Sequence, residues 1–181
     1  EIKRIKVQKE FLTIEDIDRL YNTECEYPEV KRAFLFACFS GLRLGDVLAL
    51  RYSDIQGGEI RIIQRKTKGQ VTIPITNTIR KILEDVEVLN ANGLVFDLPS
   101  KTTSNAALKR WVVAAGITKK ISFHSSRHTF ATLLVYYSKD IFTASRLLGH
   151  SDVKITQIYA KLIDDAKLTA MNSLPELQKK G

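Results

Sequence analysis

The three histidines of this sequence lie close together, within residues 124–150 of a chain of 181 residues. His124 is followed three positions later by Arg127, and on a helix two residues at this spacing share one face. A histidine and an arginine directed at one point are suited to binding a phosphate group, because one supplies a titratable proton and the other a fixed charge. His150 is followed by Tyr159, so a second pair of reactive side chains lies close behind the first.

A metal-binding function is the main alternative for the histidines. His124 and His128 have the i, i+4 spacing of a metal-binding pair, but no glutamate follows His124 as it does in the zinc-protease helix. We therefore interpret His128 as a structural hydrogen-bonding residue. Cys25 and Cys38 form no C-x-x-C motif, so we expect two reduced thiols, with Cys38 in the core. The sequence has no G-x-x-x-x-G-K-[ST] phosphate loop, and we expect neither a metal nor a cofactor.

The composition indicates a globular domain with an anionic partner. Hydrophobic residues make up 44% of the chain, and 28 Lys and Arg against 20 Asp and Glu give a net charge of +8. Basic side chains that neutralise phosphates release condensed counterions, so this balance favours nucleic acid as the partner. No apolar run approaches the roughly 18 residues of a membrane span, and we expect a cytoplasmic protein with no membrane partner. Because the chain begins at Glu1 rather than Met, we expect it to be a piece of a longer protein.

Two helices are predicted in the part of the sequence that precedes Arg43. The segment LTIEDIDRLYNT predicts a helix with Thr13 as its N-cap and Asp16 as the acidic residue of a capping box. The predicted apolar face of this helix consists of Leu12, Ile17, Leu20 and Tyr21. Pro28 opens a second helix, EVKRAFLFACFS, which Gly41 ends and which we expect to be central because it is apolar nearly all round. Arg43 is then predicted to lie at the start of the next helix.

A β-hairpin and a helical C-terminal half complete the predicted elements. Two strand-like runs, 59–64 and 71–75, flank a basic turn that contains Gly69. Further helices are predicted over 76–86, 102–115, 124–138, 140–148, 152–160 and 163–172. Tyr136 and Tyr137 are predicted to be core residues. The predicted fold class is mainly α with a small antiparallel β-sheet (α+β).

Three segments and one lysine together resemble the tyrosine recombinases, the phage-integrase family. The segments that are similar to the three motifs of that family are SGLRLGD at 40–46, HSSRHTFAT at 124–132 and LLGHSDVKITQIYAK at 147–161. Lys66, eight residues before Pro74, falls where the family has the lysine of its hairpin. The motifs occur in the order of the family, and the match covers residues 12–161.

The resemblance implies the catalytic domain of a site-specific DNA recombinase, with the tyrosine recombinase (DNA breaking-rejoining) fold. The catalytic residues that it implies are Arg43, Lys66, His124, Arg127, His150 and Tyr159. In such an enzyme Tyr159 would be the nucleophile and would attack the scissile phosphate, giving a 3′-phosphotyrosine and a free 5′-hydroxyl. Arg43 and Arg127 would bind the non-bridging oxygens of that phosphate. This chemistry needs no metal and no ATP.

The resemblance also implies roles for the lysine and the two histidines. Lys66 would protonate the 5′ leaving oxygen, although Lys68 competes with it for that role. His124 would accept or return the tyrosine proton, and His150 would donate to a phosphate oxygen. The chain departs from the family at Ser126, where leucine is usual, and we expect this residue to pack rather than react.

Each of these residues, taken singly, also has an ordinary structural interpretation. Arg43 could form a surface ion pair, and Lys66 could be a solvated turn residue. His150 after Gly149 could cap a helix C-terminus, and Tyr159 could belong to the core. The occurrence of all six in the order and spacing of the family favours the catalytic interpretation.

The resemblance implies double-stranded DNA as substrate, self-association into a tetramer on DNA, and no small-molecule substrate. The leading hypothesis is the integrase of a mobile element. The alternatives are a type IB topoisomerase, which shares the chemistry, and a non-catalytic DNA-binding module on the same fold.

The domain organisation is predicted from the same match. Residues 1–11 would be a basic linker from a missing N-terminal DNA-binding domain, 12–162 the catalytic domain, and 163–181 a C-terminal helix and tail. The apolar residues of that tail would either contact a neighbouring protomer or pack in cis; they are Leu168, Met171, Leu174 and Leu177.

Overall fold

A computed structural model describes residues 10–84, 93–138 and 140–149, which form seven α-helices and one three-stranded antiparallel sheet. The helices are α1 (Ile14–Asn22), α2 (Pro28–Ser40), α3 (Leu44–Val47), α4 (Asn77–Glu84), α5 (Lys101–Ala114), α6 (Phe123–Ser138) and α7 (Ile141–Leu147). The strands are β1 (Ile55–Gln56), β2 (Glu59–Ile63) and β3 (Gln70–Pro74). This architecture confirms the predicted fold class. The helices expected over 152–160 and 163–172 lie outside the described residues.

The ends of α1 and α2 form as the sequence predicts. The Thr13 hydroxyl accepts from the backbone N–H of Asp16, and the Asp16 carboxylate accepts from the N–H of Thr13, which completes a capping box. Pro28 is the first residue of α2, and Gly41 ends that helix in the left-handed conformation, with φ 69°. Such a conformation suits glycine because a Cβ would crowd the following carbonyl.

Helix α2 is central, as its apolar sequence predicts. It packs against α1, α3, α4, α5 and α6. The ring of Phe34 on α2 makes edge-to-face contacts with Trp111 of α5, at 6.0 Å between centroids, and with Phe123 of α6, at 5.6 Å. Cys38, also on α2, is buried as expected, and its burial raises the pKa of the thiol far above the ordinary value.

The sheet presents one face to the core. Strands β2 and β3 pair in a hairpin whose register places Ile60 opposite Ile73, and both of these side chains are buried. Strand β1, which the sequence analysis did not predict, pairs antiparallel with β2 through the turn at Gly57 and Gly58. Strand β1 has only two residues, so its alternation of apolar and polar side chains is too short to be recognised in the sequence.

Three tyrosines were placed wrongly by the sequence analysis. Tyr136 and Tyr137, predicted to be core, are 44% and 66% exposed near the end of α6. Tyr21, predicted to belong to the apolar face of α1, is 57% exposed. A phenol ring combines an apolar body with a polar tip, so its presence on a helix is weak evidence for burial.

Among the described residues, no helix is both long enough and apolar enough to cross a membrane.

Candidate active site

Arg43 is placed by the junction between α2 and α3. It is the N-cap residue of α3, two residues after the left-handed Gly41. A Cβ on Gly41 would lie 2.3 Å from Cδ1 of Phe130, so the end of α2 approaches α6 too closely for any other residue. This contact brings the first basic motif against the helix that carries the second.

Arg127 projects from α6 into that junction. Its side chain is buried, with 4% of the residue exposed. Nη1 donates to the carbonyl of Gly41 at 2.7 Å, and Nη2 donates to the carbonyl of Leu148 at 2.6 Å. Arg127 therefore links the end of α2 to the residues that follow α7, and the two contacts hold its guanidinium plane in place.

Gln64 is the second connecting residue, and the sequence analysis missed it. The residue is fully buried at the end of β2. Its Oε1 accepts from Nη1 of Arg43 at 3.0 Å and from the hydroxyl of Thr67 at 2.7 Å. Its Nε2 donates to the Leu148 carbonyl at 3.3 Å, the same oxygen that Arg127 contacts. Arg43 and Arg127 are thereby joined through one amide and one carbonyl.

The alternation of strand β2 could have identified Gln64. Side chains two residues apart lie on one face of a strand, and Gln64 follows Ile60 and Ile62 at that spacing. A polar residue on the inward face of a strand needs hydrogen-bond partners, which marks it as a structural or functional position.

The turn that carries Lys66 is exposed and is fixed at its base. The carboxylate Oδ1 of Asp46, a buried residue of α3, accepts from the backbone N–H of Arg65 at 2.9 Å. The carbonyl of Gln64 accepts from the N–H of Lys68 at 2.9 Å. Lys66 and Lys68 are both exposed. The preference for Lys66 over Lys68 as the proton donor remains a prediction.

The two described histidines lie at the N-terminal end of α6. His124 is exposed and His128 is buried, and their rings meet edge to face with 4.6 Å between centroids. Between them, Ser126 is fully buried and donates its hydroxyl to the carbonyl of Phe123 at 2.6 Å. Ser126 therefore packs, as expected.

Gly149, the residue before His150, is held tightly. It has φ 62°, and a Cβ there would lie 2.5 Å from Oε1 of Gln64 and 2.8 Å from Cγ2 of Val71. Gly149 therefore packs directly against Gln64 and strand β3. His150 and Tyr159, the remaining predicted site residues, lie outside the described residues, as does the segment 163–181.

The described part of the site is suited to binding a phosphate group. It contains two guanidiniums on one connected frame, an exposed lysine on a fixed turn and an exposed imidazole. Over residues 10–84, 93–138 and 140–149, no three His, Cys, Asp or Glu side chains lie together in a way that could hold a metal ion. The chemistry that these groups can supply is cationic stabilisation of a phosphate and proton transfer.

The chain is similar to known proteins in both sequence and structure. Residues 10–165 match the model of the phage integrase family. A tyrosine recombinase of Thermosipho africanus is 28% identical over 175 residues, covering 91% of this chain and 62% of that protein. The crystal structure of XerA recombinase superposes with a TM-score of 0.75 at 22% identity, covering 96% of this chain and 66% of that one. A lambda integrase tetramer bound to a Holliday junction superposes with a TM-score of 0.73 at 22% identity, covering 86% of this chain and 49% of that one.

At 22% sequence identity, the similarities to the XerA and lambda integrase structures show a common fold. The chain spans about three fifths of the length of the Thermosipho relative and half of the lambda integrase chain.

Proposed function

The chain belongs to the phage integrase family, and we propose that it is the catalytic part of a site-specific DNA recombinase that acts through a covalent bond to Tyr159. The observation that carries the proposal is the connection of Arg43 to Arg127 through Gln64 and the Leu148 carbonyl. Two residues that the family motifs mark as phosphate ligands are thereby held on one frame.

The two arginines bind the scissile phosphate. A phosphodiester carries one negative charge, and its pentacoordinate transition state carries about two, so fixed cations stabilise the transition state more than the substrate. A guanidinium has five N–H donors, so it can be anchored by protein carbonyls and still address a phosphate with a planar fork. Removal of one such donor group from a preorganised site is expected to lower the cleavage rate by about 10²–10³-fold.

The remaining residues move protons. The Tyr159 oxygen attacks phosphorus and the bond to the 5′ oxygen breaks, leaving a 3′-phosphotyrosine. His124 takes the proton of the phenol, and Lys66 gives a proton to the departing 5′ oxygen. His150 donates a hydrogen bond to a phosphate oxygen. Rejoining reverses these steps, and because the phosphotyrosine retains the energy of the phosphoester, no nucleotide is required.

Double-stranded DNA is the proposed substrate, and self-association on DNA is part of the proposal. The net charge of +8 supports binding to phosphate backbones, which is expected to weaken steeply as salt rises. The lambda integrase tetramer on a Holliday junction supports strand exchange by four protomers. A cytoplasmic location and a role in the integration of a mobile element are further proposals. So is the division into a linker (1–11), a catalytic domain (12–162) and a C-terminal helix and tail (163–181).

Covalent trapping on a randomised pool of DNA tests this function and selects the target sequence in the same step. Each duplex of the pool carries a nick a few bases 3′ of the scissile position, so that the short 5′-hydroxyl fragment is released after cleavage. Adducts are isolated under denaturing conditions and their DNA is sequenced. Tyr159→Phe is the matched control, because it removes one oxygen and leaves the ring.

Each outcome selects one function. Adducts that require Tyr159 and share a sequence support a site-specific recombinase. Adducts that require Tyr159 without any sequence preference, together with relaxation of supercoiled plasmid, indicate a type IB topoisomerase. Binding of the pool without any adduct would make the non-catalytic DNA-binding module the better description.

A further inference from the structure

Gln64 joins three parts of the site that the family motifs treat separately. It lies at the end of β2, contacts the arginine of the first motif and contacts the carbonyl that precedes Gly149 of the third. We propose that Gln64 is a positioning residue, which holds the Arg43 guanidinium in register with Arg127 so that both address one phosphate. This inference rests on the proposed function for its catalytic consequence, but its geometric part is independent of it.

The partners of Gln64 determine the orientation of its amide. Arginine has only donors, so the atom facing Nη1 of Arg43 must be the oxygen. A backbone carbonyl has only lone pairs, so the atom facing the Leu148 oxygen must be the nitrogen. The Thr67 hydroxyl fills the second lone pair of Oε1. No other orientation of the amide satisfies these partners.

Burial makes this arrangement rigid. The side chain of Gln64 is fully buried, so water does not compete for its hydrogen bonds. The backbone around it is also fixed, because its N–H donates to the Gly69 carbonyl at 2.9 Å and its carbonyl accepts from Lys68 at 2.9 Å. The amide also packs directly against Gly149, where a Cβ would lie 2.5 Å from Oε1. Arg43 is therefore contacted by a group that has little freedom of its own.

The chemistry of an amide suits this position better than that of other side chains. A glutamate would accept from Arg43 as well, but its charge would neutralise the guanidinium beside a phosphate. A methionine would fill the same volume but could form neither the hydrogen bond with Arg43 nor the one with the Leu148 carbonyl. A neutral acceptor fixes Arg43 and leaves its charge to act on the substrate.

The Leu148 carbonyl completes the connection. It accepts from Nη2 of Arg127 at 2.6 Å and from Nε2 of Gln64 at 3.3 Å. A continuous series of hydrogen bonds therefore runs from Arg43 through Gln64 and this carbonyl to Arg127. Loss of Gln64 breaks the series at Arg43 alone, because Arg127 keeps its own contacts with Leu148 and Gly41.

The first experiment measures the position of Arg43 directly by NMR of the guanidinium groups in the 181-residue chain. A hydrogen-bonded guanidinium rotates and exchanges slowly, so Arg43 is expected to give resolved Nη signals in the unmodified protein. Gln64→Met is expected to average these signals, and Gln64→Glu to preserve them because the carboxylate still accepts. Gln70→Met is the matched control, since it makes the same change at an exposed position of the same hairpin.

The second experiment measures adduct formation on a nicked duplex selected from the randomised pool. Gln64→Met is expected to slow single-turnover adduct formation by about 10–100-fold, the range for a lost hydrogen bond to a charged group. Gln64→Glu is expected to be at least as slow, although it keeps the Arg43 signals. In the Arg43→Ala background, Gln64→Met should cause little further loss, because a residue that acts through Arg43 has nothing left to position.

Two results would overturn the inference. One is an Arg43 signal that does not respond to Gln64→Met, whatever the DNA assay shows. The other is a full additional loss of rate in the double variant, which would assign Gln64 a role separate from Arg43. Absence of any adduct from the unmodified chain would instead overturn the proposed function, and the Arg43 signal would still decide whether Gln64 holds the guanidinium. If Gln64→Met does not fold, Gln64→Asn, a shorter amide whose oxygen no longer reaches Arg43, replaces it in both the NMR comparison and the comparison of rates.

Discussion

Substitution of Gly149 by alanine is expected to destabilise the protein strongly, for two separable reasons. The residue has φ 62°, a conformation that costs an alanine about 1–2 kcal/mol. The new Cβ would also lie 2.5 Å from Oε1 and 2.9 Å from Cδ of Gln64, and 2.8 Å from Cγ2 of Val71. Gln64 cannot move without disturbing its hydrogen bonds with Arg43 and Leu148.

The magnitude follows from these two contributions. Overpacking in a well-filled interior costs about 1–3 kcal/mol. Added to the backbone cost, it predicts that the free energy of unfolding falls by about 2–5 kcal/mol. For a chain of this size each kcal/mol shifts Tm by about 2–4 °C, so we expect a decrease of roughly 4–20 °C.

Urea unfolding followed by circular dichroism measures this change, and two other glycines serve as controls. Gly57 has φ 59° with nothing within 4 Å of the position of a Cβ, so Gly57→Ala should show the backbone cost alone. Gly45 has no such conformation and equally open surroundings, so Gly45→Ala should be neutral or stabilise by up to about 1 kcal/mol. If Gly149→Ala were no more destabilising than Gly57→Ala, the close contact with Gln64 would be refuted.

Three further predictions concern the lysines, a buried carboxylate and a buried hydroxyl. Lys66→Ala should slow adduct formation by about 10²-fold or more on a phosphodiester, but little on a 5′-bridging phosphorothiolate, because the sulfur leaves without a proton. Lys68→Ala, the matched control, should change neither rate much. The reverse pattern would transfer the role of proton donor to Lys68. Burial alone would raise the pKa of Asp16, but its hydrogen bonds and ion pairs outweigh burial and lower the pKa below 3.8. The stability that ionised Asp16 contributes is therefore complete above the ordinary pKa of 3.8 and is lost as pH falls through the lower pKa of the folded state. In urea unfolding at several pH values, the difference in free energy of unfolding between the unmodified protein and Asp16→Asn should therefore shrink in acid. A difference that stays constant with pH would contradict the assignment. Thr129→Val should destabilise by about 1–3 kcal/mol in the same assay, because the hydroxyl accepts from the buried N–H of Leu12 at 2.9 Å; no change would mean that this N–H is satisfied otherwise.

Local signals in the sequence predicted the elements that frame the site. The capping box of Thr13 and Asp16, the initial Pro28 and the terminal Gly41 each impose a local geometry that needs no tertiary context. The hairpin followed from alternating apolar residues on either side of a glycine-containing turn. These features allowed Arg43 and Lys66 to be placed on the correct elements.

Features that depend on tertiary packing were not predictable in the same way. The exposure of Tyr136 and Tyr137 depends on what packs against the end of α6, and composition gives no indication of it. Strand β1 is recognisable only through its pairing with β2.

The connections within the site were the least accessible part. Arg43 and Arg127 could be identified as a pair from motif order, but their link depends on the Leu148 backbone carbonyl and on Gln64. A carbonyl oxygen has no identity in the sequence, since every residue has one. Only the polar residue Gln64, which directly follows β2 and continues the alternation of its buried face, offered a signal.

The proposed function depends above all on the bond between Tyr159 and DNA, and peptide mapping of the trapped adduct locates that bond. After nuclease and trypsin digestion, we expect a residual nucleotide on the peptide spanning 155–161, attached to Tyr159. The chain has six tyrosines, two of which, Tyr136 and Tyr137, are exposed on α6 and serve as internal controls that should remain unmodified. A nucleotide on any residue other than Tyr159 would contradict the proposed mechanism.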